Sequence, residues 1–141
     1  DLAVCSEKAS FVSAYSKAGL TPDGSSSYFL PKIIGSRRYL ELVMTNKVLS
    51  AQEALEWGLI NSIFEHNVLH TKTLEIALTL AEGPTLAFGR TKELVHSSFH
   101  SSLEGQMELE TEMISKSSDT SDGKEGIKSF VTKEKPNFVG E

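Results

Sequence analysis

The chain has 141 residues, a formal net charge of −5 and a single cysteine. That length bounds it to one domain or a piece of a larger one, and an acidic balance with no basic face argues against a nucleic-acid footprint. No apolar run approaches the ~20 residues that a bilayer span needs, so no membrane role is expected. The opening Asp1-Leu2-Ala3-Val4-Cys5 is not a secretory leader, because no basic region precedes an apolar one. The missing initial Met points to a processed or fragmentary chain. Cys5 alone permits neither an internal disulfide nor a cysteine-based zinc site, and it reads as a small, half-buried strand residue.

Leu2-Ala3-Val4-Cys5 is short, apolar and strand-like, and Glu7-Lys8 reads as a turn. Ala9, Phe11, Ser13 and Tyr15 alternate onto one face, which predicts a second short strand from Ala9 to Tyr15. Nothing later offers a large sheet, so the partners of these strands are expected upstream. Residues 25–45 read as two helices. Ser25, Ser26 or Ser27 caps the first, Pro31 lies within its first turns or kinks it, and Gly35 punctuates it. Ser36 then caps a second helix with an apolar stripe of Tyr39, Leu40, Leu42, Val43 and Met44. Leu49-Ser50-Ala51-Gln52-Glu53 opens the next, with Ser50 and Glu53 spaced as a capping box and Gly58 as its stop. Leu59 to Phe64 is extended.

From there the pattern is helical. Val68, Leu69, Leu74, Ala77, Leu78 and Ala81 share a face over 67–82. Gly83-Pro84 breaks that helix and starts another over 85–98. A further helix covers 102–116, Ser117 to Gly123 is polar punctuation, and a short helix covers 124–132. A few strands followed by helices give a lopsided chain. Its helical stripes must be buried on each other, on absent sequence or on another subunit.

The stretch Gly19-Leu20-Thr21-Pro22-Asp23-Gly24-Ser25-Ser26-Ser27-Tyr28-Phe29-Leu30-Pro31-Lys32-Ile33-Ile34-Gly35 concentrates the chemistry. Gly and Pro frame one carboxylate, Asp23, on a tight turn leading into an apolar helix. Burial raises a carboxylate's pKa and a helix N-terminus lowers it, and a position under both influences suits proton transfer. Asp is also a common turn or cap residue, and spacing alone leaves both readings open. His66/His70 and His96/His100 stand at i,i+4, a spacing that holds metals on helices. Neither pair has an acidic partner motif, so they read as solvated faces and no metal site is expected.

The whole chain resembles the C-terminal half of the crotonase superfamily, the enoyl-CoA hydratase/isomerase family. The resemblance rests on the Gly19 to Gly35 stretch, then Glu41-Leu42 with Leu49-Ser50-Ala51, Glu53-Ala54 and Gly58-Leu59-Ile60-Asn61. Next come Gly83-Pro84-Thr85, then Asp122-Gly123, Glu125-Gly126 and Phe130, and the Pro136-Asn137-Phe138 ending, all in order. It implies an α/β fold, a crotonase-like spiral, of which this chain is the mostly helical part with a few short N-terminal strands. Residues 1–64 would close the spiral core and carry the acid/base turn, and residues 65–141 would form a C-terminal helical trimerisation region.

The resemblance also implies chemistry. Such enzymes bind an acyl-CoA thioester, stabilise its enolate with two backbone N–H groups and move protons with carboxylates. They need no further cofactor. Hydratases, which are lyases, use two glutamates. The first would precede Asp1, and the second would fall at Tyr15, which is not acidic. Isomerase branches place an acidic residue at the position of Asp23. The expected activity is therefore Δ3 to Δ2 double-bond migration with Asp23 as general acid/base. A hydratase, a ring-modifying CoA isomerase and a non-catalytic assembly or acyl-CoA-binding module are the alternatives.

Tyr15, Tyr28 and Phe29 would line the acyl pocket, or be ordinary core aromatics. Phe130 and Lys133 match positions that meet the adenine and 3′-phosphate of CoA, across a trimer contact. A homotrimer or hexamer in fatty acid metabolism is implied, in the cytoplasm or in a mitochondrial or peroxisomal matrix. Both oxyanion-hole segments would precede Asp1, so the 141 residues alone are expected to be inert.

Overall fold

The computed structural model describes all 141 residues. It falls into two compact units, Asp1–Thr73 and Leu74–Glu141. The first contains strand β1 (Val4–Ser6), strand β2 (Ser10–Val12), a 3-10 turn (Tyr15–Ala18), helices α1 (Ser26–Ile34) and α2 (Ser36–Thr45), strand β3 (Val48–Ser50), helix α3 (Ala51–Glu56) and strand β4 (Ser62–Phe64). Helix α4 (Leu69–Ala81) begins in that unit and crosses the boundary. Helices α5 (Thr85–Ser97), α6 (Leu103–Ser118) and α7 (Ser121–Thr132) follow. None of the helices is long and apolar enough to cross a membrane.

The strands qualify two expectations. Each has a partner within the chain: β1 pairs in parallel with β4, Cys5 opposite Ile63, and β2 pairs antiparallel with β3, Phe11 opposite Leu49. The second strand also stops at Val12, and Tyr15 lies in the 3-10 turn, which ends on a left-handed Gly19 at φ +70°. Alternation over Ala9 to Tyr15 therefore overstates the strand. Once the ladder with β3 ends, a helical turn satisfies the Gly19 and Leu20 N–H groups through the Ser16 and Tyr15 carbonyls.

The core of the first unit gathers buried Cys5, Ala51, Ala54 and Ile60, with Phe11, Leu55 and Ile63 against them. Leu49 is wholly buried. On α2 only Tyr39 and Leu42 of the expected stripe are buried, while Leu40 and Met44 face solvent. Burial of Cys5 pushes its thiol up in pKa, as desolvation disfavours the thiolate.

Local signals set the helix starts unevenly. The capping box at α3 forms as its spacing requires: the Glu53 N–H donates to Ser50 Oγ at 3.2 Å and the Ser50 N–H to Glu53 Oε2 at 3.0 Å. The serines before α1 and α2 make no such caps. Ser25 precedes α1 in a left-handed conformation without a side-chain bond, and Gly35, not Ser36, is the N-cap of α2. Pro31 lies inside α1.

In the second unit, α6 extends to Ser118 and α7 begins at Ser121, so the polar run Ser117 to Gly123 is largely helical. Thr120 makes this possible: its Oγ1 accepts the Gly123 N–H at 2.9 Å and caps α7. The predicted stripes form helices but stay uncovered, with Leu74, Leu78, Leu103, Ile114, Phe130 and Val131 all exposed. Met113, Asp122 and Ser129 are the buried residues of α6 and α7.

Candidate active site

Asp23 is held by a turn with an unusual backbone. Its carbonyl accepts the Ser26 N–H at 3.1 Å, closing a four-residue turn. Both central residues have positive φ, Gly24 at +59° and Ser25 at +64°. Glycine adopts that geometry freely, whereas a residue with a Cβ sits there at a cost of ~1–2 kcal/mol, so Ser25 is strained. The turn leads directly into α1 and leaves Asp23 in solvent. Tyr28 and Phe29, which follow on α1, are 38% and 41% exposed in this chain. They contact each other edge-on with ring centroids 5.0 Å apart, and the Lys32 ammonium lies over the Tyr28 ring at 3.1 Å.

The partner of Asp23 is Tyr15. The phenol donates to Asp23 Oδ1 at 2.6 Å. This contact was not foreseen, because the strand reading gave Tyr15 a direction and no neighbour across the Gly19–Pro22 loop. Lys17-Ala18 followed by Gly19 was the available signal, a short helical turn with a left-handed stop. Ser16 fixes that turn by donating to the Val43 carbonyl at 2.6 Å, at the end of α2. The hydrogen bond to Asp23, followed by the carboxylate's charge, pushes the Tyr15 phenol above the ordinary tyrosine value.

The other site candidates lie in the second unit. Phe130, near the end of α7, is 88% exposed. Lys133 follows it as a left-handed C-cap at φ +59°, whose N–H reaches the Ser129 carbonyl. An aromatic face and an ammonium thus stand at one helix end. Two clefts belong to this unit. One, of about 560 Å³, is lined by Arg90, Leu94, Met107 and Ile114 of α5 and α6, and one of about 350 Å³ by Leu86, Ile127 and Phe138.

An acidic residue exposed on a tight turn, with one oxygen held by a phenol, can move a proton at the other. The chain is similar to several known proteins. It is 39% identical over 114 residues to 4-chlorobenzoyl coenzyme A dehalogenase-1 of Arthrobacter sp, covering 81% of this chain and 41% of that protein. It is 32% identical over 140 residues to 1,2-epoxyphenylacetyl-CoA isomerase of Escherichia coli strain K12, covering 99% and 53%. Among solved structures, an enoyl-CoA hydratase/isomerase from Cupriavidus metallidurans CH34 superposes with a TM-score of 0.92 at 30% identity, covering 99% of this chain and 53% of that one. The chain thus spans about half the length, or less, of the relatives it matches. The family model described as enoyl-CoA hydratase/isomerase matches residues 1–141, and with the crotonase-like fold this places the chain in the enoyl-CoA hydratase/isomerase family.

Proposed function

We propose that this chain supplies the acid/base half of an enoyl-CoA isomerase that shifts a Δ3 double bond to Δ2. The observation that supports it is the pairing of an exposed Asp23, on its Pro22–Gly24 turn, with a non-acidic Tyr15. One carboxylate suffices for the reaction. Asp23 takes a proton from the carbon beside the thioester, electrons move into the carbonyl to give a dienolate, and the same proton returns two carbons along. No water is consumed, in contrast to a hydratase. The dienolate oxygen needs preorganised N–H donors, which we assign to sequence preceding Asp1. Loss of even one such donor costs on the order of a hundredfold or more in rate. The 141 residues alone should therefore be inert.

Binding and assembly follow the same reading. Phe130 offers a face for adenine and Lys133 a charge for the CoA phosphate, while Tyr15, Tyr28 and Phe29 border the acyl chain. The uncovered apolar residues of α6 and α7 fit burial in a homotrimer or a hexamer. Sedimentation of the enzyme as a monomer would remove that part of the proposal.

Asp23→Asn in the full-length enzyme tests the assignment. Isomerisation of a 3-enoyl-CoA, followed by the absorbance of the conjugated product, should fall about a thousandfold while CoA binding persists. Unchanged turnover rules Asp23 out as the base. Hydration of a 2-enoyl-CoA would favour the hydratase alternative, and acyl-CoA binding without turnover in the unmutated enzyme the binding-module alternative.

The identity to the dehalogenases favours a second reading, in which Asp23 is a nucleophile. Its carboxylate would attack the chlorine-bearing ring carbon of an aroyl-CoA, chloride would leave, and water would hydrolyse the aryl ester. Chloride release from 4-chlorobenzoyl-CoA, with one solvent oxygen entering Asp23 after the first turnover, distinguishes this from proton transfer.

A further inference from the structure

We infer that Tyr15 is a positioning residue for Asp23: its hydroxyl pins Oδ1, so that Oδ2 is the oxygen that takes and returns the proton. The inference rests on the isomerase reading and adds to it the device that aims the base. At 2.6 Å the contact has the length of an O–H···O bond to a carboxylate. Without it, an exposed aspartate on a turn would rotate freely, and a carboxylate that samples several directions loses the orientation on which proton transfer depends.

Both ends of the contact are fixed independently. Tyr15 opens the 3-10 turn that Ser16 ties to the Val43 carbonyl, and Asp23 heads the turn closed by the Ser26 N–H. The bond therefore joins two side chains whose backbones are each anchored. The phenol is not itself the base: the neighbouring carboxylate and, more weakly, Tyr39 push its ionisation up, so it remains a donor at neutral pH. A role in lining the acyl pocket needs only the ring, whereas the positioning role needs the hydroxyl. Tyr15→Phe separates the two.

Three measurements test the proposal. In the full-length enzyme, Tyr15→Phe should lower kcat about a hundredfold and leave KM within about twofold, since the loss is of aim and not of binding. In the 141-residue chain labelled with [ζ-13C]tyrosine, Asp23→Asn should move the Tyr15 titration down toward the ordinary tyrosine value. Far-UV circular dichroism should be the same for both variants and the unmutated chain. Wild-type kcat in Tyr15→Phe, with or without a raised KM, overturns the inference, as does a Tyr15 titration indifferent to Asp23→Asn. Full isomerase activity in Asp23→Asn instead removes the functional reading itself. An inactive Asp23→Asn beside a fully active Tyr15→Phe removes only the role of Tyr15.

Discussion

The Asp122 carboxylate holds the Val139 backbone: Oδ1 accepts the Val139 N–H at 2.7 Å, and Oδ2 accepts the next N–H, of Gly140, at 3.0 Å. The Asp122 N–H in turn donates to the Glu141 carbonyl at 2.8 Å. Asp122 is 3% exposed and lies in the first turn of α7, where the helix dipole also favours a negative charge. Asp122→Ala leaves two backbone donors without their acceptor, which costs about 3 kcal/mol. Asp122→Asn keeps one acceptor oxygen and should lose less. Urea unfolding monitored by circular dichroism checks both; equal stability of Asp122→Ala and the unmutated chain would show that the tail is not held this way.

Gly123 is required for a different reason. A Cβ there would lie 2.0 Å from the Ser117 carbonyl oxygen, a backbone atom that cannot swing aside. The close approach follows from the tight link between α6 and α7, where Thr120 caps one helix and donates to the Ser117 carbonyl at the end of the other. Gly123→Ala must push the two helices apart and should destabilise the chain by about 3 kcal/mol, although alanine is the better helix former. Gly105→Ala, also in a helix and 3.5 Å from its nearest neighbour, is the control and should be neutral or stabilising in the same unfolding experiment.

These two residues show what could and could not be read from the sequence. The helices from α2 onward follow from apolar spacing, and the Ser50–Glu53 box follows from its own four residues, because those interactions are local. Asp122 has partners 17 and 18 positions away, so composition rendered it as one more polar residue in a linker. Strand β3 is three residues long, too short for a period, and exists because Val48–Ser50 finds Ser10–Val12. The sequence pattern instead gives Leu49 and Ser50 to the opening of the next helix. At the site, Asp23 was legible from Pro22 and Gly24 and from the resemblance of the whole stretch. Its hydrogen bond to Tyr15 was not, since it depends on a left-handed Gly19 and on two consecutive left-handed residues, Gly24 and Ser25.

Leu49 carries the consequence of that unpredicted strand. It pairs with Phe11 and is 0% exposed. Leu49→Ala removes its buried methyl groups and leaves a cavity, a change that costs about 3 kcal/mol in a well-packed core. Leu49→Met keeps most of the volume and should cost less than half as much. Midpoints from chemical denaturation decide it. Equal effects of the two substitutions would mean that the site collapses around the smaller side chain.

Glu53 gives a pH signature to α3. The Ser50 N–H, then the Ser50 hydroxyl and the Lys47 ammonium at 3.3 Å, all favour the charged carboxylate, so its pKa is lowered from the ordinary glutamate value. Lys47, shared with Glu41 at 3.4 Å, is correspondingly raised, first through its bond to Glu53. A carboxylate with a lowered folded-state value contributes stability above its ordinary value and loses that contribution as pH falls through the folded one. Glu53→Gln, which preserves the shape of the capping box, should therefore lower Tm most at pH values above the ordinary glutamate range and converge with the unmutated chain only once the pH has fallen through the lowered folded-state value. Added salt should shrink the part due to Lys47, because that pair is exposed, and leave the Ser50 hydrogen bonds in place. A difference in Tm that stays constant from neutral to acidic pH would assign the effect to the amide's geometry rather than to the carboxylate's charge.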